Sequence, residues 1–281
     1  MGLRIRTNVD SITAQRALSS SNQELSQATE RLASGSRINR SADDAAGLAV
    51  SESLRAKTRG LNQARRNAND GISLVQVAES GMSEMTNILV RLRELAVQAS
   101  SDTVGMTERG FLNKEYSQLV DEIDRIGSAT EFNGRNLFSP DLVDGLDIQV
   151  GYTSDSAVSS LKLTFGDGVA LNSEGFKLRD VSIEQEKGRD IVGALDNIDA
   201  AIGTISNNRA TLGALQSRLN SAISNLSVTT ESMMASNSRI RDADFAEETA
   251  RATQGRILSQ AGISVLSQAN ARPEMALALL R

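Results

Sequence analysis

From Leu54 the chain places an apolar residue at every seventh position: Leu61, Ala68, Val75, Met82, Leu89 and Ala96 follow in turn. Three residues beyond these come Ala64, Ala78, Met85, Leu92 and Ala99. A seven-residue apolar repeat held over about six heptads has one good solution, a long helix whose seam packs against another helix. The pattern predicts a helix over residues 43–100, roughly 85 Å long. Ser41 and Asp44 stand in the S-x-x-D spacing of a capping box at its start.

A matching seam lies nearer the other end. Ile191, Ile198, Ile205, Leu212, Leu219, Leu226, Met233 and Ile240 recur by sevens, with Ala194, Ala201, Leu215 and Ala222 between them. Ser182 with Gln185 is placed to cap this second helix. The two seams are natural antiparallel partners, and their alanines permit a close approach. One such pair buries too little apolar surface to stand by itself. Residues 107–128 supply a third helix, with Phe111, Leu112, Leu119, Val120, Ile123 and Ile126 at helical spacing. Residues 129–181 change character. Leu146, Ile148, Val150 and Tyr152, then Leu161, Leu163 and Phe165, alternate with period two. They predict a β-hairpin, with room for a third short strand, at the tip farthest from the termini.

The ends carry shorter seams: Leu18, Leu25 and Leu32 with Ala14 and Ala28, and Leu258, Ala261, Val265 and Ala269 on one predicted face. Met275, Leu277, Leu279 and Leu280 close the chain in an apolar patch. Two readings follow. The ends pair only with each other, or they pair and then pack on neighbouring subunits, and an exposed apolar terminus favours the second. Breaks at 34–40 and 239–248 are expected hinges. The expected fold is therefore mainly α: a long antiparallel coiled-coil and helical bundle formed by both chain ends, with a small β-hairpin region in the middle. Its divisions are residues 1–40 with 242–281, residues 41–128 with 182–241, and residues 129–181.

Composition narrows the function. The chain of 281 residues has no His and no Cys. That removes the commonest general base, the thiolate nucleophile and the usual zinc ligands. There is no G-x-x-x-x-G-K-[ST] or G-x-G-x-x-G motif. No catalytic, metal or cofactor site is expected. Residues 1–66 carry 11 basic and 6 acidic side chains, but these are interleaved and lack stacking aromatics, so nucleic acid is not an expected partner. No run reaches the length of a membrane span, and the first residues lack the apolar core of a secretory signal.

Specific blocks carry a family resemblance. LASGSRINRSADDAAGLAVSESLRA at residues 32–56, LRELAVQAS at 92–100, EIDRI at 122–126, TEFNGRNLF at 130–138, RIRDADFAEETA at 239–250 and ILSQAGISVLSQANARPEMALALLR at 257–281 resemble the bacterial flagellins. The resemblance covers roughly residues 1–140 and 185–281, with a short unmatched middle. It implies that the two ends form the inner core of a helical filament and that the longer helices and hairpin form an outer core. It implies a structural subunit of the flagellar filament that polymerises with itself for motility. Export would run through the flagellar type III system without a cleaved signal, with an export chaperone, filament cap and hook-junction proteins as partners. The hook–filament junction adaptor shares such ends and is the competing reading. The seams and apolar end at Leu18, Leu25, Leu32, Leu258, Val265, Leu277, Leu279 and Leu280 are the expected polymerisation seams. The resemblance further implies recognition by the flagellin-sensing Toll-like receptor through Arg91, Leu95 and Glu115. Arg91 and Leu95 fall off the heptad seam, on an expected outer face.

Overall fold

The computed structural model describes residues 7–139, 145–153, 155, 159–164, 171–179 and 192–278, with side chains of the last helix described as far as Arg272. The elements in order are α1 (Val9–Ser34), α2 (Ala45–Ala99), α3 (Met106–Ala129), β1 (Glu131–Phe132), β2 (Arg135–Asn136), β3 (Leu146–Gln149), β4 (Ser160–Leu163), α4 (Val192–Arg241) and α5 (Phe245–Ala278). The mainly helical fold with a small strand region in the middle is as expected. The chain divides into two compact units. One comprises residues up to Thr58 and from Glu231 onward, the other Arg59–Thr230. The division falls inside α2 and α4, not at the breaks in the chain.

In the terminal unit α1 and α5 run antiparallel. Gly262 faces Leu18 and Gly255 faces Leu25, so that a Cβ on either glycine would lie 3.2 Å from the leucine. Each step of seven up α1 thus meets a step of seven down α5, as a coiled coil requires. Ala14 and Ala28 are buried between the leucines, as their spacing predicts. On α5 the inward positions are Ala252, Gly255, Ser259, Gly262, Leu266 and Ala269. Leu258 and Val265 were expected on the same face as Ala269, but they lie outside it and are exposed. The two glycines on the inner stripe let the α1 leucines approach closely.

The two breaks do not behave as free hinges. Gly35 ends α1 in the left-handed region at φ 68°, where a residue without Cβ is favoured. Beyond it the connectors bond to each other, Ala243 N–H to the Gly35 carbonyl at 3.0 Å and Arg37 N–H to the Arg241 carbonyl at 2.6 Å. Ile38 is buried over Gly47. The Ser41–Asp44 capping box does not form. Asp44 is itself the cap, its Oδ1 accepting from Gly47 N–H at 2.8 Å, while Asp43 turns back to accept from Asn39 and Arg40. Asp44 thus stands at the N-cap, its side chain accepting from the N–H three residues on.

In the second unit both seams are buried as predicted. Leu61 is buried, and Ala68, Val75, Met82, Leu89 and Ala96 of α2 share one core with Ile198, Ile205, Leu212 and Leu219 of α4. The third helix forms, burying Tyr116, Val120 and Ile123. Phe111, expected on the packed stripe, is instead 63% exposed, because α3 turns that early position away from its inner stripe. β3 and β4 pair antiparallel with Leu146 opposite Leu163 and Ile148 opposite Leu161. The predicted hairpin lies alongside α2 instead of at a tip. Ile148 abuts Gly71, and Asn67 donates to the Gln149 carbonyl at 3.0 Å. No third strand joins it among the described residues. A separate tight hairpin of β1 and β2 turns at Asn133 and Gly134, both with positive φ. The proposed Ser182–Gln185 cap, Ile191, Phe165, Leu279, Leu280 and the side chains of Met275 and Leu277 lie outside the described residues.

Candidate functional site

Two surfaces follow from these elements. The first is the outward side of the terminal pair. With mostly small residues turned to α1, α5 leaves most of its large apolar ones exposed. Phe245, Ile257, Leu258, Ile263 and Val265 are exposed on α5, and Val9 and Ile12 on α1. Leu18, Leu25 and Leu32, in contrast, are half-buried within the pair. The structure thus divides the expected polymerisation residues. The three α1 leucines hold the two ends of the chain together, while Leu258 and Val265 face outward.

Polar contacts span the inner stripe. Arg31 Nη1 reaches Glu248 Oε1 at 3.0 Å with side chains 16% and 5% exposed. Ser259 Oγ donates to Asn22 Oδ1, and Ser11 Oγ to Asn270 Oδ1, each at 2.8 Å. Asn8 Nδ2 donates to the Ala269 carbonyl at 2.8 Å. At the outer end Arg272 pairs with Asp10 at 3.1 Å on an exposed surface, a contact of small energetic weight.

The second surface surrounds Arg91. The structure brings Arg91 and Glu115 together: Nε and Nη2 donate to Glu115 Oε1 at 3.0 and 2.7 Å, and Nη1 donates to Glu94 at 2.9 Å. Glu115 first, then Glu94, raise the Arg91 guanidinium above its ordinary value. Leu95 does not join them. It is 1% exposed, against the expectation of an outer position. Leu74, Gly81, Ile88 and Leu95 recur by sevens beside the main seam, and this second stripe is covered on the α3 side, where Gly81 meets Thr130 and Phe138. A helix packed on two partners buries two stripes, so one heptad register could not place Leu95.

Sequence reasoning missed a third cluster. Asp124 Oδ1 accepts from Ser173 N–H at 2.7 Å, and its Oδ2 accepts from Ser173 Oγ at 2.6 Å and Arg179 Nη2 at 2.9 Å. Arg179 also reaches Asp121 at 2.8 Å. Desolvation raises the Asp124 carboxyl, but the Ser173 and Arg179 bonds outweigh it and leave the group below its ordinary value. These residues pin segment 171–179 to α3. The aspartates lie 49 or more positions from Ser173 and Arg179 and share no motif with them, so nothing in the sequence could have joined the two sides. Among the described residues no group of three His, Cys, Asp or Glu is arranged to hold a metal, and no helix is long and apolar enough to cross a membrane.

Comparison with known proteins places this architecture. Residues 5–141 match the bacterial flagellin N-terminal helical region, and residues 195–280 match the bacterial flagellin C-terminal helical region. A flagellin of Halalkalibacterium halodurans is 42% identical over 277 residues, covering 99% of each chain. A flagellin of Bacillus subtilis is 38% identical over 304 residues, covering 99% of this chain and 100% of that one. A solved chain described as a flagellar hook-associated protein, from Vibrio parahaemolyticus, is similar over 71% of this chain and 100% of its own at TM-score 0.58; at 13% identity it speaks for the fold only. With both helical ends matched and full-length relatives aligned throughout, the chain belongs to the bacterial flagellin family.

Proposed function

We infer that the chain is the structural subunit that polymerises into the bacterial flagellar filament, an extracellular appendage. The observation that carries this, beside family membership, is the outward apolar side of α5. Five large apolar side chains exposed on one helix are a liability in a free subunit and a means of association in a polymer. Repeated head-to-tail contact between identical subunits, with a rotation that does not close, gives an open helical array.

Around this sit finer proposals. The terminal unit is the filament's inner core and the second unit its outer core. Leu258, Val265, Leu277, Leu279 and Leu280 contact neighbouring copies, whereas Leu18, Leu25 and Leu32 act by holding the terminal pair. Export proceeds through the flagellar type III system, with an export chaperone and without a cleaved signal, and growth involves cap and hook-junction proteins. Recognition by the flagellin-sensing Toll-like receptor rests on the exposed Arg91–Glu115 pair, with Leu95 supporting it from the core. A reporter-cell assay in which the Arg91→Ala/Glu115→Ala chain signals as strongly as the parent would remove that proposal.

The test of the main reading is seeded elongation followed by negative-stain electron microscopy. The intact chain is compared with one lacking residues 1–35 and 242–281. Long filaments from the intact chain only are expected. Filaments from neither would favour the junction adaptor, which adapts instead of propagating.

A further inference from the structure

Helix α5 spreads apolar and polar residues around its whole circumference, so hydrophobicity alone does not determine which side it turns to α1. On the side it does turn inward, Gly255 and Gly262 oppose Leu25 and Leu18. Leu258 and Val265 stand exposed on one flank of that stripe, and Phe245 and Ile263 on the other. With successive residues roughly 100° apart, a rotation of α5 by about 80° would bring Leu258 and Val265 onto the α1 leucines. That arrangement would set Leu258 and Val265 against the α1 leucines in place of the glycines, so apolar contact alone does not single out the observed face.

We propose that the buried Arg31–Glu248 pair, backed by the Asn22–Ser259 and Ser11–Asn270 hydrogen bonds, fixes the rotation of α5 and so keeps its large apolar side free for other copies of the chain. This rests on the filament reading above and names the residues that protect its interface. The polar contacts all lie on the glycine side of α5. Turning α5 would leave Arg31 without its carboxylate partner, while Glu248 kept Arg251 of its own helix, and would set polar groups against leucines. A buried charge losing its partner is among the costliest changes a packed seam can suffer. The pair is not built for maximal stability. Arg31 Nε and Glu248 Oε2 are buried with no hydrogen-bond partner among the described residues. A half-satisfied ion pair in a helix seam is better understood as a device that excludes other packings, the role that a single polar seam residue plays in coiled coils.

The chain has no Cys, so introduced pairs report without background. Leu18→Cys/Gly262→Cys reads the observed face, since a Cβ on Gly262 would lie 3.6 Å from the Leu18 Cβ, near the separation a disulfide needs. Leu18→Cys/Val265→Cys reads the rotated face. Each is placed in the full-length soluble parent and in an Arg31→Met/Glu248→Leu variant, which removes both charges without leaving one unpaired. Helicity by circular dichroism checks folding. Seeded elongation is measured on the same substitutions without the cysteines. The parent should cross-link through 18–262. The variant should keep its helicity, shift to the 18–265 cross-link, and elongate roughly tenfold more slowly. A variant that cross-links only through 18–262, or through neither pair while the parent does, overturns the proposal. A parent that cross-links through 18–262 yet never elongates would overturn the filament reading, while the cross-link comparison would still report the rotation.

Discussion

Leu95 and Arg91 are four residues apart on α2 and answer to different forces. Leu95 is held by packing, so Leu95→Ala should cost about 2–5 kcal/mol, seen as a lower midpoint in chemical denaturation. Arg91 is held by exposed ion pairs to Glu115 and Glu94, and Arg91→Ala should leave that midpoint unchanged. Equal effects from the two would contradict the burial assigned to Leu95. Asp124 supplies the pH dependence at this scale. Its folded carboxyl titrates below its ordinary value, so its contribution is fully present above that value and is lost as pH falls through the folded one. The amide resonance of Ser173 should therefore shift on acidification in the low-pH range below 3.8, the ordinary value. Asp124→Asn should abolish that titration.

At the scale of elements, helix propensity and packing compete at the glycines. Gly203 of α4 has nothing within 4 Å of an added Cβ, so Gly203→Ala should stabilise by roughly 0.5–1 kcal/mol. Gly255→Ala gains the same propensity but places its Cβ 3.2 Å from that of Leu25 and forces α1 away. It should destabilise the terminal pair, measured as faster amide exchange in α1 and α5. Faster exchange in neither helix would show that the close approach is not needed. Elements were legible in the sequence where one force dominated. The α2 and α4 seams were read to within a few residues because heptad burial sets them. The β3–β4 hairpin was read from alternation. Leu95, Phe111 and the inward face of α5 were not, because each depends on where a third surface lies, and periodicity along one helix does not encode that. The β1–β2 turn carried a signal that went unused: Asn133-Gly134 is the dipeptide that tolerates two successive positive φ angles.

At the scale of the whole molecule, the chain joins a well-packed core of helices to a terminal pair that leaves apolar surface uncovered. The family assignment was legible at the ends of the sequence, where motif blocks are dense. The division of labour within the terminal pair became visible only in three dimensions. There the α1 leucines close the chain on itself, and α5 offers Leu258 and Val265 outward. The most direct test of that account is seeded elongation by a Leu258→Asp/Val265→Asp chain. Both positions are exposed in the free subunit, so its helicity and denaturation midpoint should match the parent. The account predicts that this chain fails to extend seeds at concentrations where the parent forms long filaments. Extension at the parental rate would contradict it.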